Sequence, residues 1–143
     1  MILKRYIVLF VVLMTAFSIN AQTLNIEISN IRSKKGNILV GVFKNNEDFK
    51  KEKTIFDKSY SKCNLKNGAL TIKLKLEPGI YGISILDDKN CDGEMEYNFI
   101  GLPKEGYGFS NFFHRGMNRP VFDDFDFTVS KKDLTVYVKM RYF

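Results

Sequence analysis

Asn67-Gly68-Ala69-Leu70-Thr71-Ile72-Lys73-Leu74-Lys75-Leu76 opens on the strongest short-range turn signal in the chain and then alternates apolar with polar residues. Asn and Gly both tolerate φ > 0, so the pair suits a two-residue hairpin turn. A period of two sends Leu70, Ile72, Leu74 and Leu76 to one face of a strand and Thr71, Lys73 and Lys75 to the other. The expectation is a strand with one face in a core and a lysine-rich face in water, returning antiparallel to a strand near Lys58 to Leu65.

The same period recurs on both sides. Leu24, Ile26 and Ile28 alternate with Asn25 and Glu27, and Ser33-Lys-Lys-Gly-Asn37 supplies turn chemistry before a β-branched run from Ile38 to Phe43, which reads as a hairpin. Lys44 to Phe56 loses the alternation and becomes a surface connection with a turn of helix around Glu47 to Lys51. Glu77-Pro78-Gly79 ends the strand at Leu76, and Ile80 to Asp87 makes a fifth. Phe125 to Val129 and Leu134 to Phe143 form a last pair across Ser130 to Asp133. About seven short strands without a long amphipathic helix predict an all-β fold, an antiparallel sandwich of two packed sheets, with a barrel as the alternative.

The first 21 residues read differently. Lys4 and Arg5 precede an apolar run from Ile7 to Phe17 broken only by Thr15, and Ala21 stands before Gln22 as a small residue suited to cleavage. This is the pattern of a secretory signal peptide (1–21), too short in its apolar part for the roughly 20 residues of a membrane-crossing helix. A single domain, 22–143, follows. Export to the periplasm, cell surface or medium is the expectation, and the protein is not expected to span a membrane. Loss of Lys4 and Arg5 lowers the formal charge from +6 to +4. The lysines that carry it alternate with apolar residues on strands, which argues for a solvated sheet face and against nucleic acid.

Between Asp87 and Phe122 the alternation stops. The segment holds Tyr97, Phe99, Tyr107, Phe109, Phe112 and Phe113, too much apolar surface to stay solvated, so a long ordered loop is expected before the last two strands. It begins with Asp88-Lys-Asn90-Cys-Asp92-Gly93, the first half of a calcium loop in which oxygens at alternate positions converge on a hard cation. Asp88, Asn90, Asp92, Glu94 and Glu96 are the candidate ligands, with Asp87 adding a further oxygen, and calcium is the candidate cofactor. The twelfth position is Phe99 where a helix-loop-helix site carries Glu, so the loop is not an EF-hand. The competing reading is an acidic turn whose side chains cap their own backbone. Tyr97, Phe99, Tyr107 and Phe109 are the candidate ligand surface.

Cys63 and Cys91 are the only cysteines. Outside the cytoplasm a disulfide between them is chemically allowed and would contribute about 3 kcal/mol if unstrained; two independent thiols are the alternative. With His114 they supply too few ligands for zinc.

The run from Pro78-Gly79-Ile-Tyr81 through Asp87-Asp88-Lys-Asn90-Cys-Asp92-Gly93 to Gly101-Leu-Pro103-Lys-Glu105-Gly106-Tyr-Gly108-Phe109-Ser110-Asn111 resembles the uncharacterised exported bacterial family catalogued as domain of unknown function 2141. The resemblance extends over the mature chain, including the Leu24 to Phe43 segment and Pro120-Val-Phe122-Asp-Asp-Phe125. It implies a sandwich of transthyretin-like or carboxypeptidase-regulatory-like character and brings no activity with it. Cys91 and Glu96 depart from the family pattern, where a small or polar residue and an Asp are usual. The first departure weakens a family-wide disulfide; the second keeps an acidic ligand.

For function, no G-x-S-x-G elbow, phosphate loop or dinucleotide fingerprint is present, and His114 is the only imidazole. A non-catalytic exported module binding a glycan, peptide or envelope protein through the aromatic loop is the first expectation. The alternative is a small hydrolase using carboxylate pairs such as Asp87 with Glu96 or Glu105 with Asp123. A third reading is assembly through an open sheet edge at Leu134 to Phe143.

Overall fold

The computed structural model describes residues 21–143; residues 1–20, and with them nearly all of the expected signal peptide (1–21), lie outside the described residues. Among the described residues, eight strands form two sheets. The first has the order β4-β1-β8, with β1 at Gln22–Ser29, β4 at Leu70–Leu76 and β8 at Leu134–Lys139. The second has the order β3-β2-β5-β6, with β2 at Asn37–Phe43, β3 at Phe56–Ser61, β5 at Gly79–Asp88 and β6 at Gly106–Phe109. The short β7, Asp126–Val129, pairs with the first half of β5 on the edge that β6 occupies along its second half. The all-β sandwich expected from the alternation is the observed architecture.

The inward faces meet in one core: Leu24, Ile26 and Val136 from the first sheet against Ile38, Val40, Val42 and Ile83 from the second, all fully buried. A second, aromatic core lies on the outer face of the second sheet. There Phe43, Phe109 and Phe125 are covered by Phe49 of the short helix α1 (Asn46–Lys50) and by Phe122 of a 3₁₀ turn. Asn45 caps α1, its side-chain oxygen accepting the Asp48 N–H at 2.8 Å. Between β6 and β7 the strand ladder along β5 is interrupted, and the buried Ser110 bridges the gap. Its hydroxyl accepts the Ile83 N–H at 3.0 Å and donates to the Phe125 carbonyl at 2.6 Å.

Three expected hairpins are corrected. β1 and β2, β3 and β4, and β7 and β8 are neighbours in sequence but sit in different sheets or on different partners. β1 pairs with β4 antiparallel and β8 parallel, β2 with β3 and β5, and β7 with β5. Each short connection therefore crosses from sheet to sheet. The Asn67-Gly68 turn does form, with φ of 50° and 73° and paired bonds between Lys66 and Ala69 at 2.9 and 3.0 Å. The chain has already left β3 at Ser61, however, and Leu65 has turned into the core, so the turn delivers β4 to β1. Burial of Ile31 and Leu65 at these crossings accounts for the preference, because an apolar corner residue is covered only where both sheets close over it.

The expected open edge at Leu134 to Phe143 is covered in part. Asn111 N–H donates to the Tyr137 carbonyl at 2.7 Å, its side-chain oxygen accepts the Tyr137 N–H at 2.9 Å, and Tyr107 and Arg141 exchange two backbone bonds. The outer edge is thereby covered at Tyr137 within β8 and at Arg141 beyond its end.

Candidate functional site: the acidic loop between β5 and β6

Residues 89–105 link β5 to β6. Alternation along the end of β5 sends Asp87 into the sandwich and Asp88 to the outer face, although both are buried. Asp88 is held from behind by the β1–β2 crossing. Gly36 has φ +71°, and a Cβ there would stand 2.0 Å from the Asp88 carbonyl oxygen, so no other residue fits.

From this anchor the loop folds around its own carboxylates. Asp88 accepts the Asp92 and Gly93 N–H groups at 3.2 and 3.0 Å, one on each oxygen, and Asp92 accepts the Glu94 N–H at 2.9 Å. Asn90 donates to Asp92 at 2.7 Å and to Glu96 at 3.4 Å. These bonds are those of an Asx-turn series, and alone they satisfy the reading of a self-capping turn.

Glu105 changes the picture. The chain returns to β6 beneath Asp88, and the oxygens of Asp88, Asp92 and Glu105 lie within 4.8 Å of one another. Glu105 is only 5% exposed; its Oε1 accepts the Lys89 N–H at 3.0 Å, while Oε2 is buried and has no hydrogen-bond partner. Burial pushes its carboxyl above the usual 4.5; the Lys89 N–H pulls it down, and the negative Asp88 and Asp92 raise it again.

Of the candidate ligands, Asp88 and Asp92 are in this group and Asn90 adjoins it. Glu94 is exposed, and Glu96 reaches Asn90 and pairs with Lys104 at 3.7 Å. Glu105 was not among them. It follows Asp88 by 17 positions, and its proximity depends on β6, a strand the alternation did not reveal.

Glu96 to Lys104 forms a small hairpin standing on this acidic root. Lys104 N–H donates to the Glu96 carbonyl at 2.8 Å and Asn98 N–H to the Leu102 carbonyl at 2.9 Å. The Asn98 side chain accepts the N–H groups of Ile100 and Leu102 at 3.0 and 2.9 Å and fixes the tip from within. On that tip Phe99 is 99% exposed, Ile100 64% and Tyr97 57%.

The other residues singled out take separate places. Phe109 is buried in the aromatic core and leaves the candidate surface; Tyr107 is half-buried, its ring stacked with Phe143 at 6.3 Å. Burial raises the Tyr107 hydroxyl pKa. His114 packs among the rings of Tyr107, Phe109 and Phe112. Cys63 and Cys91 are unbridged, exposed thiols, so of the two open readings the disulfide is corrected and the independent thiols hold. Cys91, at φ 60°, accepts a contact from the Asn37 side-chain amide on its sulfur at 3.4 Å. Asp87 belongs to a different assembly: Lys62 Nζ contacts one of its oxygens and the Tyr142 hydroxyl donates to the other at 2.6 Å.

The fold and the loop define an all-β sandwich with an acidic loop carrying an exposed aromatic tip. The chain belongs to the family of uncharacterised proteins conserved in bacteria described as domain of unknown function 2141, which matches residues 26–137. Comparison with curated proteins and with solved structures finds no match.

Proposed function

We propose that this protein is a non-catalytic, exported binding module whose binding element is the hairpin Glu96 to Lys104. One observation carries the reading: Phe99 is wholly exposed on a tip held rigid by the Asn98 side chain. Apolar side chains exposed together on a preorganised element lose little entropy when a partner covers them, which is the behaviour of binding anchors. Tyr97 and Ile100 enlarge the patch, and the half-buried Tyr107 lies further along the chain at β6. Partners of matching chemistry are the sugar faces of a glycan or the apolar side chains of a peptide or envelope protein. The signal-like sequence before Gln22 supports an envelope or extracellular setting.

A hydrolase fits less well. Asp87 is sealed inside the sandwich and Glu105 beneath the loop, whereas paired catalytic carboxylates stand about 5 to 10 Å apart across an open cleft.

The test is binding of the purified protein to isolated peptidoglycan sacculi and to a glycan array, beside Phe99→Ala and the double variant Tyr97→Ala/Ile100→Ala. The expected result is a ligand for which either variant loses about tenfold or more in affinity while melting as the wild type does. Equal binding by wild type and both variants to every ligand captured would overturn the reading, as would no binding at all.

A further inference from the structure

The acidic group at the root of the loop joins two features that a self-capping turn does not explain. First, three carboxylates close on one another within 4.8 Å, two of them buried, Asp88 at 3% and Glu105 at 5% exposure. Second, one oxygen of the buried Glu105 carboxyl, Oε2, has no partner at hydrogen-bond distance, although the Glu96 backbone N–H is near enough to lower the carboxyl pKa. An Asx turn needs Asp88, Asn90 and Asp92, and it is complete without Glu105. Burying a carboxylate beside two others, with one oxygen unpaired, is among the most costly arrangements a fold can hold unless something positive completes it. The cationic side chains nearby are committed elsewhere. Lys104 pairs with Glu96, Lys62 contacts Asp87, and Lys89 Nζ lies 6.0 Å from the centre of the Tyr142 ring.

We propose that Asp88, Asp92 and Glu105 bind a divalent cation, and that the cation is calcium. The donors are all carboxylate oxygens, which select hard ions over zinc or copper. The N–H groups that Asp88 and Asp92 accept leave each oxygen a second lone pair for a metal. Asn90 and Glu96, hydrogen-bonded to each other beside the group, stand ready as fourth and fifth donors, and an irregular set of oxygens of this number suits the six to eight ligands of calcium better than the rigid octahedron of magnesium. Bound there, the ion joins the end of β5 to the start of β6. It clamps both ends of the loop from which the hairpin projects, without touching the tip. This assignment stands whether or not the tip has the partner proposed above.

The experiment uses the protein expressed with its own N-terminal segment and stripped of metal by chelator. Calcium is titrated by calorimetry, and melting is followed by circular dichroism, for the wild type, Asp92→Asn and Glu105→Gln. The wild type is expected to bind one calcium per chain and to melt about 10 °C higher at 100-fold excess over the dissociation constant. Asp92→Asn, an exposed and conservative change, should weaken binding at least tenfold while melting near the wild type in chelator. Glu105→Gln should lose calcium affinity yet melt no lower than the wild type in chelator, because the amide removes the unpaired buried carboxylate. Absence of any heat or melting shift in the stripped wild type at about 10 mM calcium, above the range of extracellular sites, would overturn the proposal. So would binding that both variants leave intact, or a response to magnesium and not calcium. Tip-ligand binding, measured separately in chelator with Phe99→Ala, fails or succeeds independently of these results.

Discussion

At the scale of single residues, two buried oxygens carry opposite obligations. The Ser110 hydroxyl is fully satisfied, since it accepts from Ile83 and donates to Phe125 across the break between β6 and β7. Ser110→Ala leaves a buried N–H and a buried carbonyl without that partner, and the expected cost is about 2 kcal/mol, read as a lower urea midpoint at unchanged slope. Glu105 is the reverse case, with one oxygen unpaired. Its folded pKa is raised above 4.5, chiefly by burial, so in the window above 4.5 the folded state holds a proton that the unfolded state has released. Stability from this group is therefore fully present below the unfolded value and is lost as pH rises through the folded value. In chelator, the wild type should lose stability relative to Glu105→Gln as pH is raised from about 4 towards neutrality. Parallel pH profiles for the two proteins would remove Glu105 as the cause.

At the scale of elements, alternation located β1, β2, β4, β5, β7 and β8 within a few residues, because each keeps a continuous apolar face in the main core, even where the outer face of β2 and β5 is partly covered as well. β6 escaped it. Its inward positions are Gly106 and Gly108, where a Cβ would stand 2.2 Å from the Tyr142 ring and 2.5 Å from a Val138 methyl. Side chains from the end of the chain fill the space that β6 leaves, so the strand has the period but no apolar residue on its inward face to display it. The acidic half-loop at Asp88 was legible because its donors are local. Its third carboxylate was not, because Glu105 arrives only through β6. The hairpin tip has a similar logic. Exposed Phe99 and Ile100 contribute no burial, so the turn depends on the two bonds accepted by Asn98. Asn98→Ala should therefore cost little global stability, about 1 kcal/mol or less, while raising hydrogen exchange at Ile100 and Leu102. Unchanged exchange at those two amides would mean that the tip is held some other way.

At the scale of the whole molecule, periodicity specifies which face of a strand is buried but not which strand lies beside it. That is why the sandwich could be read from the sequence while the three expected hairpins were assigned to the wrong neighbours. A parallel pairing such as β1 with β8 unites strands at opposite ends of the chain and leaves no local signal. What closes the molecule at the end near Asp87 is polar. Lys62, beyond β3, contacts Asp87 of β5 and donates to the Lys35 carbonyl in the β1–β2 crossing at 2.6 Å, while Tyr142 brings in the chain terminus through its bond to Asp87. Both members of the ion pair are at most 1% exposed. Burial, and after it the bond to Asp87, raises the Tyr142 hydroxyl pKa, as expected for a donor locked onto a carboxylate. Removing one partner strands the other, so Asp87→Ala should cost about 3 to 5 kcal/mol in chemical denaturation. The desolvation spent on the pair is large enough that a matched apolar replacement should recover it. Lys62→Met, Asp87→Leu and Tyr142→Phe together are expected to come within about 1 kcal/mol of the wild type or to exceed it. If the triple variant is as unstable as Asp87→Ala, the pair supplies net stability. If it is stable but loses the sharp, dispersed amide spectrum of the wild type, the network serves to fix the way the two sheets and the terminus meet.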